Sequence, residues 1–247
     1  MKIELINDNF ENAKVYQLPK ADLIVADIPY NIGSDAYASS PVWWKDRKVE
    51  NGRSEKAEKS FFNTDYNFNI DNFFKFCIRY LKPEQKGKAG SSMLIFCSFE
   101  QLGEVITKAK EVGLKKYIPL VFIKNNSSQV LKANMKIVGA TEYGLLLYRE
   151  RLPKFNNTLE DGKKHMIKNW FEFKKDKDIK RIHPTQKPVN LLEQFIRILT
   201  DENDVVIDPV AGSGSTLIAC RKNNRNCYGF EVDKKIYLKA KGLIGEE

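Results

Sequence analysis

Histidine is nearly missing from this 247-residue chain, which holds only His165 and His183. Cysteine is almost as scarce. Cys77, Cys97, Cys220 and Cys227 show no Cys-x-x-Cys spacing and no histidine pair nearby, which argues against a metal site. Most of them fall in apolar runs, as buried free thiols do in a reducing compartment. No apolar stretch reaches the roughly 18 residues that would span a bilayer, and no secretory signal segment is read, so a cytoplasmic protein without membrane contact is expected. No Gly-Lys-Ser/Thr closes a glycine-rich turn, which excludes a P-loop. Internal repeats are absent.

Acidic residues are in deficit, 32 against 41 basic, giving a net charge of +9. A polyanionic partner fits that balance, although charge alone does not establish one. The excess is local: Arg151 to Lys187 holds eleven Lys or Arg against five Asp or Glu. That segment reads either as a solvated lysine-rich surface or as a face for phosphates. Hydrophobic content of 42% and charged content of 30% describe a globular chain, long enough for one core and expected to form a single domain, 1–247, with an insertion.

Two stretches carry chemistry. Leu23-Ile24-Val25-Ala26 reads as a buried strand, and Asp27-Ile28-Pro29-Tyr30 follows at its carboxyl end, where open α/β sheets bind ligands. Asp27 offers a carboxylate acceptor. Pro29 holds Ile28 extended, which can aim the Ile28 carbonyl at the same point as a second acceptor. Tyr30 offers a flat face for a base. Two acceptors on the hydrogens of an exocyclic amino group would help to localise its lone pair. Taken alone, the tetrapeptide is better read as an ordinary Asp-x-Pro turn with Tyr30 packed in the core, since such turns are common.

The second stretch, Asp208-Pro209-Val210-Ala211-Gly212-Ser213-Gly214-Ser215-Thr216, leaves the strand 204–208 through a Gly/Ser turn into a helix at Leu217. It is not a full Gly-x-Gly-x-x-Gly, because Leu217 stands at the third glycine. The next strand, Cys227 to Phe230, ends in Glu231, where an acid typically holds ribose hydroxyls. Strand, glycine turn, helix, strand and acid together point to a nucleoside cofactor.

These stretches resemble the motifs of the DNA amino-methyltransferases, which act on adenine N6 or cytosine N4 with S-adenosyl-L-methionine. The family's Asp-Pro-Pro-Tyr appears as Asp27-Ile28-Pro29-Tyr30, with Ile28 keeping the main-chain carbonyl that the first proline supplies. Its Asp-Pro-Phe-x-Gly-x-Gly-x-Thr appears at Asp208 to Thr216, with Val210 in place of the phenylalanine ring. His183-Pro184-Thr185-Gln186-Lys187-Pro188 looks like the segment before the cofactor motif in the β class. Catalytic motif first and cofactor motif last is that class's circularly permuted order.

The resemblance implies an α/β methyltransferase fold, Rossmann-like, with a mostly parallel seven-stranded sheet and helices on both faces. It implies catalytic roles for Asp27, Ile28, Pro29 and Tyr30. It places the cofactor on Asp208, Pro209, Ala211, Gly212, Ser213, Gly214, Thr216 and Glu231, with His183, Thr185, Gln186 and Lys187 near its methionine end. Residues 31–66, polar and irregular, are expected to be a lid over site and DNA, with Trp43, Lys45 and Arg47 as contacts; Trp43 and Trp44 covering core is the plainer alternative. Residues 151–181 are expected to be the target-recognition region, with Lys163, Lys164 and Lys168 on DNA. His165 is expected at the surface.

Asp at the first motif position is associated with adenine and Ser with cytosine N4, so adenine N6 in double-stranded DNA is the favoured target. Cytosine N4, an RNA or protein amide substrate, and an inactive DNA-binding or cofactor-sensing module are the alternatives. A cognate restriction endonuclease, a homodimer and a bacterial or phage-infected cytoplasm belong to the same expectation.

Helices are expected over 68–81, 99–112, 188–199 and 234–243. Strands are expected at 1–6, 93–97, 117–123 and 141–148.

Overall fold

Apolar side chains that alternate along each strand divide the core into two layers, one on either side of a single sheet. In the computed structural model, residues 1–29, 68–125, 130–132, 135, 137–158, 162–174, 176–183 and 185–245 are described. The chain opens with β1 (Ile3–Ile6), a 3-10 helix (Phe10–Tyr16) and β2 (Leu23–Asp27). After α1 (Ile70–Tyr80), β3 (Ser92–Cys97) and α2 (Leu102–Glu111) come β4 (Lys116–Lys124), a small antiparallel pair β5 (Val130–Lys132) and β6 (Ile137–Val138), and β7 (Thr141–Tyr148). The second half runs β8 (Trp170–Phe173), α3 (Val189–Leu199), β9 (Val205–Asp208), α4 (Ser215–Lys222), β10 (Asn226–Phe230) and α5 (Lys234–Ile244). Tyr30 and the expected lid with Trp43, Lys45 and Arg47 lie outside the described residues, as does Pro184.

The helices start and stop where local chemistry directs. Asn69 caps α1 by accepting from the Asn72 amide at 2.9 Å, and Pro83 follows shortly after its end. Asp233 caps α5 through the amides of Lys235 and Ile236. Pro188 at the start of α3 has no side chain to cap with. Asp176 takes that role from the preceding loop, accepting from the Val189 and Asn190 amides at 2.7 and 3.2 Å.

The main sheet has the order β1-β10-β9-β2-β3-β7-β4-β8. All neighbours are parallel except β7, which runs against both β3 and β4. It therefore carries eight strands, where the resemblance implies seven. The additional strand is β8, contributed by the basic insertion, and it pairs with the outer edge of β4 from Val121↔Trp170 to Lys124↔Phe173. Its Phe171 packs on Phe195 of α3, with ring centroids 4.5 Å apart, so apolar burial rather than charge fixes this part of the insertion.

Period-two alternation decides which side chains share a face. Ile24, Ala26 and Ile28 join α1, α2 and the 3-10 helix in one layer, with Phe73, Phe74 and Cys77. Leu23 and Val25 join α3, α4 and α5 in the other, with Phe96, Phe122, Leu146 and Phe195. Each fully buried Phe or Leu contributes about 1.5–3 kcal/mol of transfer free energy. All four cysteines are buried free thiols inside these layers.

Candidate active site

Strand order places the two sequence motifs side by side. From β9 the chain winds through α4 to β10 in one direction, whereas from β2 it winds through α1 to β3 in the other. Neighbouring β9 and β2 thus form the topological switch point, and beyond the strand carboxyl ends at such a point open α/β sheets bind ligands. Asp27 ends β2 and Asp208 ends β9. The two carboxylates are separated by 181 residues of chain, yet each lies in the other's field.

Alternation also sends Asp27 to the α3 side of the sheet, because it shares the parity of Leu23 and Val25. Glu142 shares the parity of Leu146 on β7, and Lys124 that of Phe122 on β4. These three meet Lys187, which enters from the turn before α3. Its ammonium lies 2.9 Å from Asp27 Oδ1 and 3.0 Å from Glu142 Oε2, while Lys124 Nζ lies 2.5 Å from Glu142 Oε1. Lys187 is only 8% exposed and its Nζ sits 5.2 Å from the Phe96 ring centroid. Burial raises the Glu142 pKa, but the charges and hydrogen bonds of Lys187 and Lys124 outweigh it and hold the acid at about 2. Nearby Cys97 is pushed up to about 12 by burial first and by the Asp27 charge second, so it is an inert thiol.

The Ile28 carbonyl, expected as a second acceptor, is shaped by Gln101. The Ile28 amide still donates to the Phe96 carbonyl at 3.2 Å, extending the β2–β3 ladder by one residue. In a parallel ladder of that register the next donor, aimed at the Ile28 carbonyl, is the Ser98 amide. Gln101 Oε1 takes that amide at 3.1 Å, and Gln101 Nε2 donates to the Pro29 carbonyl at 2.9 Å. The ladder ends there. The Ile28 side chain is buried at 1% exposure, so its backbone is anchored while its carbonyl is released from sheet pairing.

On the β9 side of the switch point, the Gly/Ser turn closes with the Gly214 amide donating to the Ala211 carbonyl at 2.9 Å. Gly212 and Gly214 have φ of +53° and +76°, a region that favours glycine. A Cβ at Gly212 would meet nothing nearer than the Val210 carbonyl oxygen at 4.0 Å, so open space lies beside this backbone. Ser213 and Ser215 contact each other through their hydroxyls at 3.1 Å, and Thr216 and the Val210 amide hydrogen-bond to Asp208. Pro209 and Ala211 are buried within the same turn. Burial dominates at Asp208 and raises its pKa to about 7 against those hydrogen bonds.

Glu231 follows β10 and reaches the same turn. Its carboxylate accepts from the Asp233 amide at 2.7 Å and from the amides of Gly212 and Val232. Burial still raises its pKa. The Glu231 amide donates to Ile6 on β1, and Asn7 Nδ2 donates to the Glu231 carbonyl at 2.8 Å. A glycine turn with open space beside it and a half-buried acid one strand away fits a nucleoside with ribose hydroxyls to bind.

The 181–188 loop bridges the two halves. His183 Nδ1 contacts Thr185 Oγ1 at 2.9 Å, Gln186 Oε1 accepts from the Ile182 amide at 3.0 Å, and Lys187 reaches Asp27. Burial chiefly lowers the His183 pKa, with Arg181 adding to it, so a neutral imidazole is favoured; Asp233 opposes and Lys239 reinforces this shift. His165 is exposed, with its amide donating to Asn157.

The expected DNA lysines do not gather at this edge. Asn156 bonds to Ile198, Arg197 and Thr200 at the end of α3, which faces the opposite, strand-amino edge of the sheet. Lys154 pairs there with Asp201 and Asp204. Lys163 and Lys164 lie in the short Thr158↔Lys164 pairing next to that anchor, and Lys168 lies over Trp170 at 4.7 Å before β8 begins. Within the insertion, the described basic residues toward the Asp27 edge follow β8: Lys174, Lys177, Lys180 and Arg181, all exposed.

Glu142, Lys124 and Gln101 carry no motif. A glutamate inside Thr141-Glu142-Tyr143-Gly144-Leu145 was the available signal, since a charge at an inward parity needs a partner.

The geometry agrees with what the sequence is similar to. A family model described as DNA methylase matches residues 21–242. The type II methyltransferase M.HindIII of Haemophilus influenzae is 43% identical over 68 residues, which cover 28% of this chain and only 22% of that enzyme. M.HpaI of Haemophilus parainfluenzae is 25% identical over 248 residues, covering 92% of this chain and 68% of its own. The crystal structure of the M1.HpyAVI–SAM complex superimposes with a TM-score of 0.69 at 23% identity, covering 98% of both chains. That likeness bears on the fold.

Proposed function

Because this chain belongs to the DNA methylase family, we propose that it transfers a methyl group from S-adenosyl-L-methionine to adenine N6 in double-stranded DNA, at a specific site and by base flipping. The observation that carries the reading is the pairing of two acceptors at one strand end: the Asp27 carboxylate and the Ile28 carbonyl that Gln101 keeps out of the sheet.

When bound, the cofactor supplies an electrophilic methyl carbon whose bond to positively charged sulfur breaks as the new C–N bond forms. Asp208 to Thr216 and Glu231 would hold its nucleoside, Glu231 on the ribose hydroxyls, with His183, Thr185 and Gln186 toward the methionine end. Asp27 and the Ile28 carbonyl accept from the two amino hydrogens, drawing the nitrogen lone pair out of the ring and toward the methyl group. Asp27 need not be a strong base, since the amine becomes acidic only as the bond forms, and it passes the released proton to solvent. Tyr30 stacks on the extrahelical base. Positioning and fixed charge supply most of the rate.

Asp27 rather than Ser at the first motif position favours adenine over cytosine N4. Residues 31–66 as a lid, residues 151–181 as the target-reading region, a cognate restriction endonuclease, a homodimer and a bacterial cytoplasmic setting complete the proposal. Among the described residues no helix is long and apolar enough to cross a membrane.

Single-base-resolution sequencing of methyl-free DNA after incubation with the protein and cofactor tests this reading. N6-methyladenine in one short context is expected. N4-methylcytosine would move the target base, and no modified base despite bound cofactor would overturn the DNA reading.

A further inference from the structure

We infer that Lys187, held by Glu142, is the positioning residue that fixes the Asp27 carboxylate in its ionised, amine-facing state. The inference deepens the proposed methyl transfer and rests on it for the identity of the substrate.

Four charges from four chain segments form one neutral chain: Lys124, Glu142, Lys187 and Asp27, joined by contacts of 2.5, 3.0 and 2.9 Å. Exposure is lowest in its middle, and Asp27 at one end is the most exposed of the four. The Lys187 and Glu142 side chains are 9% and 15% exposed, whereas Asp27 retains 28%. A buried ammonium between two carboxylates is stable only while both are ionised, because removing either leaves an uncompensated charge in a poorly solvated site. Glu142, locked in its charged form, therefore pins Lys187. Lys187 in turn holds Asp27 by an ion pair at Oδ1.

The Lys187 ammonium meets two carboxylates and lies 5.2 Å from the Phe96 ring centroid, so a cofactor carboxylate would have to compete with both acids for it. Lys187 contacts Asp27 on the α3 side and Asp208 acts on it at longer range from the end of β9, while Glu142 and Lys124 act through Lys187. Of these, Lys187 is the positive group in contact with Asp27. An acceptor that stays ionised and fixed in direction serves alkylation of a weakly nucleophilic amine better than a mobile one.

The test replaces Lys187→Met, which keeps the length and removes the charge, and separately Glu142→Gln, which loosens Lys187 without touching Asp27. Three quantities are read: cofactor affinity, single-turnover methylation rate against pH at saturating cofactor, and the Asp27 carboxylate titration by carbon-13 NMR. For Lys187→Met, cofactor affinity should hold within about twofold, with the rate down about 100-fold and the acidic limb and Asp27 midpoint up by about one pH unit. Glu142→Gln should move both in the same direction by a smaller amount.

Loss of cofactor affinity with an unchanged rate at saturation would make Lys187 a cofactor ligand and overturn the inference. So would an unmoved Asp27 midpoint in both variants. If Lys187→Met fails to fold, Glu142→Gln decides by the same readouts. A wild-type protein that methylates no DNA defeats the proposed function instead, and the NMR midpoints still decide the role of Lys187.

Discussion

Gln101 donates from Nε2 to the carbonyl of Pro29, 72 residues earlier in the chain, across 2.9 Å, while its own Oε1 holds the Ser98 amide. One side chain thereby ends the β2–β3 ladder where the proposed mechanism needs an acceptor. Gln101→Leu is expected to let the Ser98 amide pair with Ile28. The methylation rate at saturating cofactor should fall about tenfold or more, with cofactor affinity unchanged. Rapid-quench transfer assays check this; an unchanged rate would show that Ile28 serves without Gln101.

Asp27→Ala removes the first acceptor. Methyl transfer should drop by about 100-fold to 10,000-fold, while cofactor binding by calorimetry persists. A variant that keeps its activity would end the two-acceptor mechanism.

Two buried acids give opposite pH signatures. Glu142 titrates at about 2 in the folded chain, against 4.5 as its ordinary value, so its contribution is complete above 4.5 and is lost as pH falls toward 2. Asp208 is raised from 3.8 to about 7, so the folded state binds the extra proton between those values. Its contribution is complete below about 4 and is lost as pH rises through 7. Urea unfolding against pH should therefore lose its slope in the acid window for Glu142→Gln and in the neutral window for Asp208→Asn.

At Gly214, φ is +76° and an added Cβ would lie 2.8 Å from Ile244 Cδ1 and 3.6 Å from Ala240 Cβ. Gly214→Ala is expected to cost about 1–3 kcal/mol and to weaken cofactor binding by displacing the turn against α5. Thermal melts with and without cofactor measure both effects. A melting temperature within error of wild type would show that α5 yields.

The position of the insertion separates two groups of lysines. Replacing Lys174, Lys177 and Lys180 by Gln should lower the slope of log affinity against log salt by up to about 0.9 for each phosphate that the variant no longer neutralises. The same change at Lys163 and Lys164, near the opposite edge, should leave that slope nearly unaltered. Equal effects from both groups would mean that DNA wraps beyond the Asp27 edge.

Much of the fold and the site is legible in the sequence. Helix starts at Asn69 and Asp233, and buried strands at Leu23, Met93 and Val205, are set by capping and period-two burial, which are local properties. The motifs Asp27 to Tyr30 and Asp208 to Thr216, with their order along the chain, carry the family and the class of chemistry. Strand parity even fixes that Asp27, Glu142 and Lys124 share a face. What parity does not contain is which strands lie side by side. Hydrogen-bond register and layer packing decided that β9 adjoins β2 and that β7 runs between β3 and β4. The same packing brought the 181–188 loop across, so that Lys187 meets Asp27 and Glu142. It also placed Lys163 and Lys164 near the far edge and drew β8 into the sheet, because Phe171 packs against Phe195 while the lysines around it stay exposed. Such contacts join residues tens to nearly two hundred positions apart, where no local propensity acts.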